Sequence, residues 1–142
     1  KEDEDKKEKD KETIKRHKER NLLAEDVELN EEIATAILGD AGFQTEVAEN
    51  GKIAVEMLEK SRPGYYQLVL MDVQMPIMNG YEAAKKIRKL GNRRLSSIPI
   101  IAMTANAFEE DKQEALKCGM NGHIAKPIDI ENLFSTLDSV LA

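Results

Sequence analysis

Short apolar runs alternate with stretches of helical periodicity along most of this chain. Five runs read as strands: Leu22-Leu23-Ala24, Gln44 to Ala48, Tyr66 to Met71, Ile98 to Met103 and His123 to Ala125. Tyr66 to Met71 is short, apolar and bounded by turn residues, the pattern of a strand buried on both faces of a parallel sheet. Between the runs the period lengthens. Leu29, Ile33 and Ile37 recur at intervals of four before Gly39 and Gly42, and Ile53, Met57 and Leu58 form a second apolar face before the Arg62-Pro63-Gly64 turn. Tyr81, Ala84, Ile87 and Arg88 mark a third helix, Phe108 to Lys117 a fourth and Ile130 to Leu141 a fifth. Strand and helix thus alternate five times, which predicts a parallel five-stranded α/β sheet with helices on both faces.

The strand ends carry the candidate chemistry. Leu22-Leu23-Ala24 runs into Glu25-Asp26, Tyr66 to Met71 into Asp72, Ile98 to Met103 into Thr104, and His123-Ile124-Ala125 into Lys126-Pro127. In a parallel sheet these ends share one edge, where α/β proteins bind ligands. Each match is weak alone: an acid pair is commonly a solvated helix start, and a threonine an ordinary strand-end residue. Together they bring three carboxylates, a hydroxyl and an ammonium to one place.

Three carboxylates a few Å apart repel by roughly 4 kcal/mol per pair at about 4 Å and an effective dielectric of ~20. Such a cluster needs a cation; otherwise the relief is a raised pKa and a protonated, poorly nucleophilic Asp72. Mg²⁺ suits an all-oxygen site of this kind and works naturally with phosphate oxygens. Carboxylate attack on phosphorus, giving an acyl phosphate, is an established route of covalent catalysis.

With Glu25-Asp26, Asp72 followed by Met75-Pro76 and Met78-Asn79-Gly80, Thr104-Ala105 and Lys126-Pro127, the segment from about Asn21 to Ala142 resembles a receiver domain of two-component response regulators. The resemblance implies a flavodoxin-like doubly wound (βα)5 fold, a three-layer sandwich. It implies that Asp72 accepts the phosphoryl group and that Glu25, Asp26, Asp72 and the Gln74 backbone carbonyl hold Mg²⁺. Thr104 and Lys126 would bind the phosphoryl oxygens. Thr104 would also act with position 123 as a switch, although His123 stands where the family commonly has Tyr or Phe. Val27 is a second departure, at a position often polar. The resemblance implies that Gln74 and Asn106 would flank the path of the hydrolytic water; both are amides, which orient water but cannot take its proton. A long-lived acyl phosphate is therefore expected, discharged by a histidine phosphotransfer protein docking near Leu29 and Ile33.

The Met103 to Ala107 and Gly119 to Ile128 segments resemble the receivers of hybrid histidine kinases in particular. The start at Lys1 and the end just after the last helical pattern suggest the carboxyl-terminal module of a longer chain. The partners implied are a histidine kinase domain and a histidine phosphotransfer protein, in a cytoplasmic setting whose parent chain is free to be membrane-anchored.

Composition narrows the alternatives. Residues 1 to 20 hold 9 Lys and Arg against 8 Asp and Glu, so this tract is nearly neutral; the remaining residues hold 12 against 19, a net of −7. An acidic domain is a poor nucleic-acid binder. The tract has almost nothing apolar to bury and reads as a charged linker, disordered or a solvated helix supported by pairs such as Glu2 with Lys6, with the receiver over residues 21 to 142. No apolar run approaches a membrane span, so no membrane contact by this segment is expected. The single Cys118 allows no internal disulfide and reads as packing. A metal-dependent aspartyl-nucleophile phosphohydrolase is the alternative, but the haloacid-dehalogenase family places an acid two residues after its nucleophile, where this chain has Gln74.

Overall fold

The computed structural model describes residues 19–105, 108–126 and 128–141; residues 1–18, Asn106, Ala107, Pro127 and Ala142, with the readings that fell on them, lie outside. Five parallel strands, β1 (Arg20–Ala24), β2 (Gln44–Ala48), β3 (Leu68–Asp72), β4 (Ile100–Thr104) and β5 (Gly122–Ala125), form one sheet in the order β2-β1-β3-β4-β5. Five helices connect or follow them: α1 (Glu28–Asp40), α2 (Gly51–Lys60), α3 (Gly80–Arg88), α4 (Glu109–Lys117) and α5 (Ile130–Leu141). This is the doubly wound α/β architecture the alternation predicts. An additional helical turn, Arg93–Ser96, was not legible in the apolar pattern; Asn92 caps it, its side chain accepting from Arg94 N at 2.9 Å.

β3 and β4 are buried along their whole length, which is why their sequences are apolar instead of alternating. Their side chains divide between two cores. Val69, Met71, Ile100 and Ala102 pack with α2, α3 and α4; Leu68, Leu70, Ile101 and Met103 pack with α1 and α5. Each fully buried Leu or Ile contributes roughly 2 kcal/mol, so the two cores hold the strands in register.

α1 corrects the sequence reading. Its buried residues are Ala34 and Leu38, whereas Leu29 and Ile33 are 64% and 44% exposed and Ile37 is only half-buried. The first two residues of the regular apolar stripe face outward, and only Ile37 packs against the core. Strand bounds also shift: β3 and β4 begin two residues later than read and include Asp72 and Thr104, while β1 opens at Arg20. Arg20 is tied into the sheet, its guanidinium 3.9 Å from the Tyr65 ring centroid and donating to Gln44 Oε1 at 2.9 Å.

Candidate functional site

Register builds the site as a staircase. Ala24 pairs with Met71, so Glu25 comes level with Asp72; Asp72 pairs with Met103, so Thr104 stands one step beyond; Thr104 pairs with Ala125, so Lys126 follows. The last step is pinned by the Lys126 N–H, which donates to Thr104 O at 2.8 Å. At the other flank, Glu25 N donates to Ala48 O at 3.0 Å.

The loop after β3 is held just as tightly. Asn79 caps α3, its side chain accepting from Glu82 N at 2.9 Å, and Glu82 Oε1 accepts from Asn79 N at 3.4 Å, a reciprocal capping box worth about 1 kcal/mol. Gly80 N donates to Val73 O at 2.9 Å, and a Cβ on Gly80 would lie 2.3 Å from the Asp72 carbonyl oxygen. Only glycine lets α3 start this close to the acid.

Glu25 and Asp72 are buried, Asp26 is exposed, and the three offer carboxylate oxygens within 4.8 Å of one another. The Lys126 ammonium bridges the two buried acids, donating to Glu25 Oε2 and to Asp72 Oδ2, both at 2.8 Å. Asp72 Oδ1 accepts from Gln74 N at 3.2 Å. Burial pushes the Asp72 carboxyl up to about 6; Lys126 opposes that rise and Glu25 adds to it. For Lys126, burial disfavours the ammonium, but the hydrogen bonds to Asp72 and Glu25 outweigh it and the pKa is raised. The lysine is thus an internal counter-ion shared by two acids, where the sequence reading placed its positive charge at the site but gave it the phosphoryl oxygens as partners. An all-oxygen cluster with one acid open to solvent fits a hard divalent cation that keeps part of its hydration shell.

The other expected residues distribute around this centre. Thr104 is buried at the end of β4. His123 pairs with Ala102, two rungs behind the Thr104–Ala125 pair and on the same face of the sheet as Thr104. It is half-buried, held below the usual histidine range by burial and Lys112, with Glu109 opposing. Gln74 lines an open groove of about 520 Å³ with Asp26, Met75, Pro76, Asn79 and Tyr81. Cys118 is buried at the end of α4, where it packs.

One contact escaped the sequence reading. Asn30, in the first turn of α1, donates from Nδ2 to Glu25 Oε1 at 3.1 Å. Its position five residues after Glu25 and within the Glu25-to-Ile33 segment was the only available signal.

The family model for the response regulator receiver domain matches residues 22–138. Hybrid signal transduction histidine kinase B of Dictyostelium discoideum is 41% identical over 124 residues, covering 81% of this chain; the chain spans 6% of that relative's length. The receiver domain of a Pseudomonas aeruginosa sensor histidine kinase, solved with magnesium coordinated in its active-site cleft, superposes with a TM-score of 0.77 at 33% identity, over 88% of this chain and 98% of that one. A receiver of Saccharomyces cerevisiae, crystallised with the histidine phosphotransfer signaling protein upstream of it, gives a TM-score of 0.77 at 29% identity, over 87% of this chain and 88% of that one.

Proposed function

This chain belongs to the response regulator receiver domain family, and from that premise we propose that Asp72 accepts a phosphoryl group from a phosphohistidine. The bridge from Lys126 to Asp72 and Glu25 beside the exposed Asp26 carries this reading. An Asp72 oxygen attacks phosphorus, the phosphorus–nitrogen bond breaks, and its electron pair returns to the donor imidazole. Lys126 exchanges its bond to Asp72 for one to a phosphoryl oxygen, a charge-assisted contact that follows the developing negative charge. The Thr104 hydroxyl donates to another phosphoryl oxygen. Glu25, Asp26, Asp72 and the Gln74 carbonyl would hold Mg²⁺, which would supply neutralisation of the charge on the phosphoryl group. The domain assists its own phosphorylation and dephosphorylation and is otherwise a signalling acceptor, not an enzyme acting on small phosphoesters.

Downstream, Thr104 and His123 form the switch. The charge of roughly −1.5 to −2 brought by phosphorylation draws Thr104 toward Asp72, and His123 moves toward the space released. Gln74 and Asn106 slow hydrolysis. The exposed Leu29 and Ile33 support docking of a histidine phosphotransfer protein on α1, and the donor is a histidine kinase domain, in the parent chain if that chain is a hybrid kinase. The charged tract before Arg20 acts as a linker, and the domain works on the cytoplasmic side. Among the described residues no helix is long and apolar enough to cross a membrane. The phosphohydrolase alternative has no acid at position 74 and gains no support from the groove there.

The test is intact-mass analysis after incubation with acetyl phosphate and Mg²⁺. One phosphoryl adduct is expected, absent after chelation and absent in Asp72→Asn. An adduct of equal stoichiometry in Asp72→Asn would overturn the assignment.

A further inference from the structure

Glu25 is 1% exposed. A carboxylate taken out of water keeps its charge and its direction only if both oxygens are occupied. Lys126 takes Oε2 at 2.8 Å; Oε1 receives the Asn30 side-chain amide at 3.1 Å and the Val27 N–H at the longer distance of 3.3 Å. Among the described residues, Asn30 is therefore the one side chain holding the far oxygen.

We propose that Asn30 is a positioning residue: its amide fixes Glu25 in the orientation that lets Glu25 and Asp72 share the Lys126 ammonium. This deepens the receiver reading and rests on it only where phosphorylation is measured. An amide is suited to the task because it donates without bringing charge. An arginine or lysine at position 30 would neutralise Glu25 and release Lys126 from it, and an aspartate would repel it. The location fits as well. Val27, at the cap position of α1, has no side-chain oxygen, so Glu25 Oε1 with its two donors closes the β1–α1 connection. Asn30 also borders a cavity of about 70 Å³ shared with Ile33, Lys126 and Ile128. Shortening Asn30 enlarges this space and admits water to Glu25, without forcing any neighbour to move.

The experiment compares wild type with Asn30→Ala, Asn30→Asp and Asn30→Gln, each also in a Glu25→Gln background. The first readout is the Lys126 Nζ ammonium signal by NMR in chelated protein, which needs neither metal nor phosphoryl donor. A signal sharpened by two carboxylate acceptors is expected in wild type, lost in Asn30→Ala and Asn30→Asp, and partly restored in Asn30→Gln, which keeps the donor and uses the cavity. The second is the initial rate of phosphorylation by acetyl phosphate at saturating Mg²⁺, expected to fall roughly tenfold in Asn30→Ala, as supporting contacts to metal-site carboxylates commonly cost. In the Glu25→Gln background Asn30→Ala should add nothing, because it acts through Glu25. An unchanged ammonium signal in Asn30→Ala, or an equal loss of rate in both backgrounds, overturns the proposal. Backbone amide spectra identify a variant that misfolds, and Asn30→Gln then carries the test. If wild type forms no adduct at all, the receiver reading fails while the ammonium signal still decides the role of Asn30.

Discussion

A carboxylate attacks phosphorus only when ionised, and burial beside Glu25 makes ionisation of Asp72 costly. With its pKa raised from 3.8 to about 6, Asp72 binds its proton more tightly folded than unfolded. Its contribution to stability is therefore full below pH 3.8 and lost as the pH rises through about 6. In chelated protein at pH 7.5, Asp72→Asn should be the more stable form, by on the order of 2 kcal/mol. The gain should shrink toward pH 4, and it should shrink at pH 7.5 when a divalent cation is added. Thermal unfolding of both proteins under these conditions measures it. A gain independent of pH and of cation would show that charge is not its source.

At the scale of elements, the site depends on how firmly α3, α4 and β5 are joined, and Arg88 joins them. From the end of α3 its guanidinium donates to Gly119 O at 2.9 and 2.6 Å, Ser96 O at 2.8 Å, Ile98 O at 2.7 Å and Asn121 Oδ1 at 2.9 Å. Gly119, at φ 92°, brings its backbone close enough that a Cβ there would lie 2.8 Å from Arg88 Cγ. Asn121 in turn accepts from Ile100 N at 2.9 Å, so the clamp fixes the start of β4 as well as the approach to β5 and His123. Arg88→Met leaves several of these carbonyls without a donor and should cost about 2–4 kcal/mol; Arg88→Lys, which cannot fork to the same acceptors, should cost about half as much. Urea unfolding decides it, and a loss below about 0.5 kcal/mol for Met would contradict the clamp.

For the molecule as a whole, the question is where the functional unit begins. A nearly neutral tract with little to bury adds little to a core, so removing residues 1–18 should leave the Mg²⁺ dissociation constant and the phosphorylation rate unchanged. Removing Arg20 as well is different. It takes away the cation–π contact with Tyr65 and the bond to Gln44, and a loss of about 1–2 kcal/mol is expected. Parallel melting curves and Mg²⁺ titrations of the two truncations test this. If deleting residues 1–18 alone weakens Mg²⁺ binding severalfold, the tract contributes to the domain and is more than a linker.

Much of this protein was legible in one dimension. The alternation of apolar runs with helical periods fixes an α/β sheet, and polar residues at the ends of buried strands identify Glu25, Asp26, Asp72, Thr104 and Lys126, because strand ends in a parallel sheet must share an edge. The Asn79 and Glu82 spacing likewise encodes its own helix start. Tertiary structure decided the rest. Periodicity says which residues share a helix face and not which face is buried, so Leu29 and Ile33 turned outward while Ala34 and Leu38 entered the core and Ile37 packed at its edge. Lys126 lies 101 residues from Glu25 and 54 from Asp72, and no local pattern encodes that one ammonium serves both. The same holds for Arg88, whose partners are mostly backbone carbonyls, and for Asn30. A hydrogen bond to a carbonyl or to a buried carboxylate depends on where the chain passes, which only packing determines.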